Sequence, residues 1–257
     1  ESAADLRLLL APGSSLGGAR PKASVRDRDG SLAIAKFAQK GDEFNRVVWE
    51  AVALTLAKQA GIQVPSWRLE TILGQPVLII KRFDRRCEQR IPFLSGMSML
   101  GAQDNEQHSY LELAYALAQY GAQPEKDMAE LWRRIVLTVM ISNTDDHLRN
   151  HGFLYERCRG WRLSPVYDIN PTPAQLTPPV LTTSIDFDDP SASLETAMGV
   201  AQDFRLSPAR ARAIVQQVGE AVAQWRHIAT QLGLSKRECD RMASAFAALQ
   251  NLPCNKG

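Results

Sequence analysis

Polar and apolar residues alternate through "KASVRDRDGSLAIAKF" on both sides of Arg28–Asp29–Gly30, the pattern of a β-hairpin with one face buried, which places Lys36 on its second strand. From Asp42 to Ala60 the period changes. Phe44, Val47, Val48, Ala51 and Leu54 recur at helical spacing and the run stops at Gly61, a residue suited to the left-handed position after a helix, so a helix carrying Glu50 in its middle is expected. Two further strands follow in "VPSWRLETILGQPVLIIKRFDR", joined near Gly74–Gln75. The remainder reads as mainly helical. Ser109 and Glu112 form a capping box ahead of "YLELAYALAQYG", and a helix from about Pro124 to Ile141 turns Leu131, Ile135, Val136 and Val139 to one side. A short hairpin is expected around Cys158–Gly160. Ser207–Pro208 opens a helix whose buried stripe is Ile214, Val215, Val218, Val222 and Trp225, and Ser235 with Glu238 opens the last one. The polar, proline-rich stretch Pro171–Pro190 suits a long loop, and no internal repeat is present.

Composition changes this picture little. The 257 residues are 45% hydrophobic and 23% charged, enough for one large domain or two lobes, and a net charge of +2 argues for no nucleic-acid or membrane-surface role. The four cysteines are far apart and form no CxxC pair, so neither a zinc ribbon nor a disulfide framework is suggested and a reducing, cytoplasmic setting is the default expectation. No apolar run approaches the ~18 residues of a membrane span. The chain opens on Glu1 rather than Met, so a fragment or a processed chain is expected.

Two stretches carry more polar chemistry than their elements need. The first, "GSSLGGARPK" at residues 13–22, has the composition of either a flexible leader or a loop whose backbone N–H groups cradle phosphate. It lacks the Gly-Lys-Ser/Thr ending of a Walker A loop. The second, "SNTDDHLRNHGFL" at residues 142–154, crowds Asp145, Asp146, His147, Arg149, Asn150 and His151 between an apolar helix and an apolar strand. Asp168 follows in "SPVYDINP".

Phosphoryl transfer from ATP needs a carboxylate to orient the attacking hydroxyl, oxygen ligands for Mg²⁺ and a lysine on the phosphates. Asp145 and Asn150 have the spacing of five that protein kinases use, Asp168 follows as a second carboxylate, and Lys36 with Glu50 matches the kinase lysine–glutamate pair in order and element type. The order Gly-rich loop, Lys, Glu, Asp, Asn, Asp is complete.

"GGARPK", "AGIQVP", "KRFDRR", "NTDDHLRNHGFL" and "LSPVYDINP" together resemble the HipA-like serine/threonine kinases, toxins of bacterial toxin–antitoxin modules, over about Ser14 to Thr183. The resemblance implies an α+β, protein-kinase-like two-lobed fold, with an N-lobe over residues 1–83 and a mainly helical C-lobe over 84–257. It implies ATP and Mg²⁺ as cofactors and a protein serine as acceptor, in studied relatives an aminoacyl-tRNA synthetase. Asp145 would be the catalytic base, with Asn150 and Asp168 as metal ligands. Gly17, Gly18, Ala19, Arg20, Pro21 and Lys22 would contact the triphosphate, Lys36 would clamp it and Glu50 would pair with Lys36. Lys81, Arg82 and Phe83 would form the hinge beside adenine, with His147 and Tyr167 near the nucleotide.

The resemblance also implies autophosphorylation at Ser15, with Ser14 as the adjacent alternative, as an off-switch. It implies an antitoxin partner, and an additional N-terminal subdomain either upstream or as a separate polypeptide, with DNA reached only through a partner and no membrane contact. Asp146 stands where some relatives have Gly, so a more negative catalytic loop is expected.

Two other functions fit parts of the sequence. A metal-dependent hydrolase would use His147 and His151, at i, i+4 on a helix, with Asp145 or Asp168. A non-catalytic antitoxin- or DNA-binding module would offer Arg205, Arg210, Arg212 and Arg226 from a helical region over 207–232. The first leaves the Gly-rich loop, Lys36 and Glu50 without a role, and the second leaves Asp145, Asn150 and Asp168 without one.

Overall fold

The computed structural model describes residues 20–86, 89–176, 180–187 and 189–251. The N-terminal part is a four-stranded antiparallel sheet in the order β1-β2-β4-β3, formed by β1 (Lys22–Arg26), β2 (Leu32–Phe37), β3 (Trp67–Ile72) and β4 (Gln75–Lys81). Its register sets Lys22 opposite Lys36 and Lys36 opposite Leu78, so these three share one face. The other face carries a small apolar cluster of Ala23, Ala33, Ala35, Phe37, Val77 and Ile79. Alternation along β2 is what divides Lys36 from Phe37.

Helix α1 (Arg46–Gln59) packs on the lysine face. It starts four residues later than the hydrophobic pattern suggests, because Asn45 caps it through a side-chain oxygen that accepts the Val48 N–H at 3.3 Å. Its end falls where expected, with Gly61 at φ +78°.

The C-terminal part is built around α4 (Pro124–Met140), which follows α2 (Gly96–Leu100) and α3 (Tyr110–Tyr120). A three-stranded sheet, β10-β9-β7, lies beside them, with β7 at Phe93–Ser95, β9 at Gly152–Glu156 and β10 at Gly160–Leu163. The shorter strands β5 (Arg85–Arg86) and β6 (Gln89–Arg90) pair with each other, and β8 (His108–Ser109) pairs in parallel with β11 (Thr183–Ser184). Apart from β11, the described residues of 164–193 hold no helix or longer strand, as the proline-rich composition suggests.

Helices α5 (Leu194–Gly199), α6 (Pro208–Val222), α7 (Trp225–Gln231) and α8 (Lys236–Met242) complete the chain, followed by 3₁₀ turns over Ala243–Asn251. The single helical region expected over 207–232 is two helices, since the chain turns at Ala223–Gln224. Trp225 therefore belongs to α7 but stays in the core.

One hydrophobic core runs through both parts, joining α1 and the lysine face of the sheet to α3, α4 and α6. Trp49 of α1 stands 6.1 Å from Trp225, which stacks on Phe246 at 4.2 Å. No helix among the described residues is long and apolar enough to cross a membrane.

Candidate active site

Lys36, Glu50 and Asp168 meet where the sheet, α1 and the segment after β10 converge. Lys36 Nζ donates to Glu50 Oε1 at 2.6 Å and to Asp168 Oδ1 at 3.0 Å, joining residues 14 and 132 positions away. Burial by itself would drive the ammonium neutral, but the two carboxylates hold its pKa above the ordinary lysine value. Burial likewise pushes the Glu50 carboxyl up against the pull of Lys36. It pushes on Asp168 too, yet the Lys36 ammonium, with smaller help from Lys22 and His147, keeps Asp168 below the ordinary carboxylate range. Asp168 adopts φ +58°, a left-handed conformation that costs a non-glycine residue about 1 kcal/mol. The ion pair favours the fold that holds it there.

The segment Ser142–His151 lies against this triad. His147 N–H and Asn150 Nδ2 both donate to the Asp145 carbonyl, each at 3.1 Å, which fixes the backbone at Asp145 while its side chain stays exposed. Asn150 is buried, and its amide nitrogen is engaged by that carbonyl, leaving its oxygen as an acceptor. Asn143 fastens the loop to the segment that follows Asp168, its Oδ1 accepting the Asn170 N–H at 3.1 Å.

Three side chains depart from what the sequence suggests. Asp146 turns its charge inward, away from the loop surface: it is 3% exposed and points into the C-terminal part, where Tyr110 donates to it and Thr138 lies at 3.4 Å. Burial opposes its charge, but His151 and Tyr110 hold its carboxyl below the ordinary range. His147 and His151 do not share a helical face. Leu148–Asn150 is a single 3₁₀ turn, His151 is extended and buried, and its Nε2 stands 3.3 Å from Asp146 outside hydrogen-bond alignment. Among the described residues no group of three His, Cys, Asp or Glu is placed to hold a metal ion, so the hydrolase set does not assemble.

The other candidate positions fall around the triad. Gly17, Gly18, Ala19, Ser14 and Ser15 lie outside the described residues. Arg20 donates to Asp42 at 2.7 Å, Pro21 accepts the Phe37 N–H at 3.1 Å, and Lys22 sits across from Lys36. At the end of β4, where the hinge is expected, Lys81 pairs with exposed Asp29 at 3.0 Å, and Arg82 forks onto Asp84 at 2.8 and 2.6 Å. The Phe83 ring lies 5.7 Å from Tyr167, whose hydroxyl donates to the Arg149 carbonyl at 2.8 Å. Burial raises the Tyr167 pKa, so it remains a neutral phenol.

Sequence reasoning passed over Tyr110 and Thr138, which hold Asp146, and Arg46. Burial and the charge of Arg20 lower the Arg46 pKa, with Asp42 and Asp145 opposing, so this cation lies within electrostatic reach of Asp145. A tyrosine at the start of a helix, next to its capping box, was the one local signal for Tyr110.

A small antiparallel sheet with one helix, a mainly helical partner, and a Lys–Glu–Asp cluster between them define a protein-kinase-like fold. The solved structures agree: the HipA of Shewanella oneidensis, in a complex with HipB and its operator DNA, matches with a TM-score of 0.74 at 18% identity over 92% of this chain and 63% of that one. The proinflammatory kinase CtkA of Helicobacter pylori matches with a TM-score of 0.54 at 16% identity over 90% of this chain and 94% of that one. The model of the HipA-like C-terminal domain matches residues 14–226, and the chain belongs to that family.

A putative kinase of Haemophilus influenzae is 29% identical over 135 residues, 46% of this chain and 39% of the relative. The putative kinase Y4dM of Sinorhizobium fredii is 30% identical over 135 residues, 47% of this chain and 32% of the relative. These matches thus cover well under half the length of the curated relatives.

Proposed function

We propose that this chain carries the catalytic centre of an ATP- and Mg²⁺-dependent protein serine/threonine kinase. The single observation that carries this reading is the bridging of Lys36 between Glu50 and Asp168 at 2.6 and 3.0 Å. A lysine so held presents its charge to a phosphate chain without losing its proton. Asp145 is the catalytic base: its carboxylate is exposed while its backbone is tied by His147 and Asn150, so it can accept the proton of an incoming hydroxyl without moving.

Asn150 and Asp168 suit Mg²⁺, which prefers hard oxygen ligands and keeps the rest of its shell for phosphate and water. The one offers an amide oxygen and the other a carboxylate kept ionised. When bound, the ion would neutralise charge on the phosphates. Lys22, on the Lys36 face, and the preceding stretch Gly17–Pro21 would lie over the triphosphate. Lys81–Phe83 would border adenine, and His147 and Tyr167 would stand close to the nucleotide. The N-lobe would span residues 1–83 and the C-lobe 84–257.

Phosphate on Ser15, or on Ser14, would place nearly two negative charges where those of ATP belong and switch the site off. An antitoxin-type partner is proposed by analogy with the Shewanella complex, which contains HipB and operator DNA. The acceptor would be a serine of another protein, of the aminoacyl-tRNA synthetase class.

Transfer of radiolabelled γ-phosphate to protein tests the reading. Incorporation that requires Mg²⁺ and falls by at least about 10²-fold in Asp145→Asn is the expected result, since general-base help contributes roughly that much. An Asp145→Asn protein of undiminished activity would overturn it. A Ser15→Ala protein should stay active where the wild type silences itself.

A further inference from the structure

A cavity of about 930 Å³ opens between the C-terminal end of α1, the N-terminal end of α4 and the start of α6, and it shares no residue with the Lys36–Glu50–Asp168 cluster. Six cations line it: Lys58 from α1, Lys126 and Arg133 from α4, Arg162 from β10, Arg205 from the turn before α6 and Arg210 from α6. Three acids line it as well, and two of them are already engaged. Asp127 takes the fork of Arg162 at 2.7 and 3.1 Å, and Glu130 accepts from Arg134, outside the cavity, at 3.0 Å. Glu125, 83% exposed, only reaches Arg205 at 4.0 Å.

Lys58, Lys126 and Arg210 have no carboxylate partner among the described residues, and Arg133 has Glu130 nearby without an ion pair to it. Arg133 is part-buried and bonds neutral groups, donating to the Ala60 carbonyl at 2.9 Å and to Gln217 at 2.5 Å. Burial lowers its pKa, Glu130 pulls it back up, and Arg210 adds a smaller repulsion. Six cations against three acids leave the concavity positively charged, a field that favours an anion.

We propose that this cavity binds a small polyanion of two or more linked phosphate groups. Arginine forks match phosphate oxygens, a cavity of this volume is of small-ligand size, and the start of the 17-residue α4 adds its partial positive charge. Such a ligand would bridge α1, the helix that carries Glu50, to the C-terminal part. The proposal goes beyond the kinase reading and does not depend on it.

Isothermal titration of the whole chain with tripolyphosphate, without Mg²⁺, tests it. Lys126→Gln/Arg210→Gln alters two exposed side chains and should keep the fold, whereas Arg133 also holds the Ala60 carbonyl. The double variant should bind tripolyphosphate on the order of ten-fold more weakly or worse, the effect of losing two charge-assisted contacts. In Lys36→Gln, which removes the phosphate-clamping charge of the catalytic cleft, the binding that the double variant loses should remain. Loss of binding in Lys36→Gln with retention in the double variant would place the anion in the catalytic cleft and overturn the proposal. So would an absence of tripolyphosphate binding by the wild type, including the case in which a DNA duplex binds through the same residues.

Discussion

Tyr110 and Asp146 are separated by 36 residues, and the hydrogen bond between them closes a buried polar group beneath the Ser142–His151 segment. A buried carboxylate that loses a donor keeps its desolvation cost, so Tyr110→Phe should lower stability by about 1–3 kcal/mol in urea unfolding at pH 7. The pH dependence has a definite sign. Asp146 is held below its ordinary value of 3.8, so its contribution is present above that value and is lost as pH falls through the lower, folded-state value. The gap between wild type and Tyr110→Phe should thus be constant near neutrality and shrink below about pH 3.8. A gap that persists unchanged into that range would show that Tyr110 acts through packing alone.

The same residue marks the limit of reading chemistry from a motif. The pair Asp145–Asp146 is two adjacent acids in the sequence, with nothing to say that one is exposed and the other buried. The local backbone turn decides it, by sending successive side chains to opposite sides of the loop.

Among the elements, α2 sets the position of the Leu148–Asn150 turn. Gly96 donates its N–H to the His151 carbonyl at 2.7 Å, and a Cβ built on it would stand 2.7 Å from the Leu148 carbonyl oxygen. The obstacle is backbone, so it cannot swing aside. Gly96→Ala should cost about 1–3 kcal/mol, as overpacking does, and should reduce phosphate transfer by more than Mg²⁺-free nucleotide binding, because the displaced turn carries Asn150. Calorimetric nucleotide binding set against labelled transfer separates the two.

The elements themselves were largely readable: period two for the sheet, helical spacing for α1 and α4, and serine caps for α6 and α8. Their starts were less so. At α1 the expected run begins at Asp42, but the helix starts only after Asn45, whose short side chain caps the backbone.

Across the whole molecule, α1 is fastened to the C-terminal helices rather than to the sheet alone. Trp49, next to Glu50, packs with Trp225 and Phe246 at 6.1 and 6.3 Å. The Lys36–Glu50 pair is thereby supported from the far end of the chain. Trp225→Ala should destabilise by about 3–5 kcal/mol, the usual cost of deleting a buried aromatic, and loosen Glu50 as well. Hydrogen exchange of α1 amides should then rise more than that of β4; equal rises would argue against this anchoring.

The sequence by itself determined the order of elements, the position of Lys36 on a strand and Glu50 on the next helix, and the spacing of Asp145 and Asn150. These are local properties, governed by backbone period and side-chain type within a few residues. Only the tertiary structure decided that Lys36 would join Glu50 to Asp168, that Asp146 would turn inward to Tyr110, and that cations from four separate elements and one turn would share a cavity. Each depends on burial and on charges brought together across the chain, where removal from water and Coulomb attraction act at distances that sequence separation does not encode.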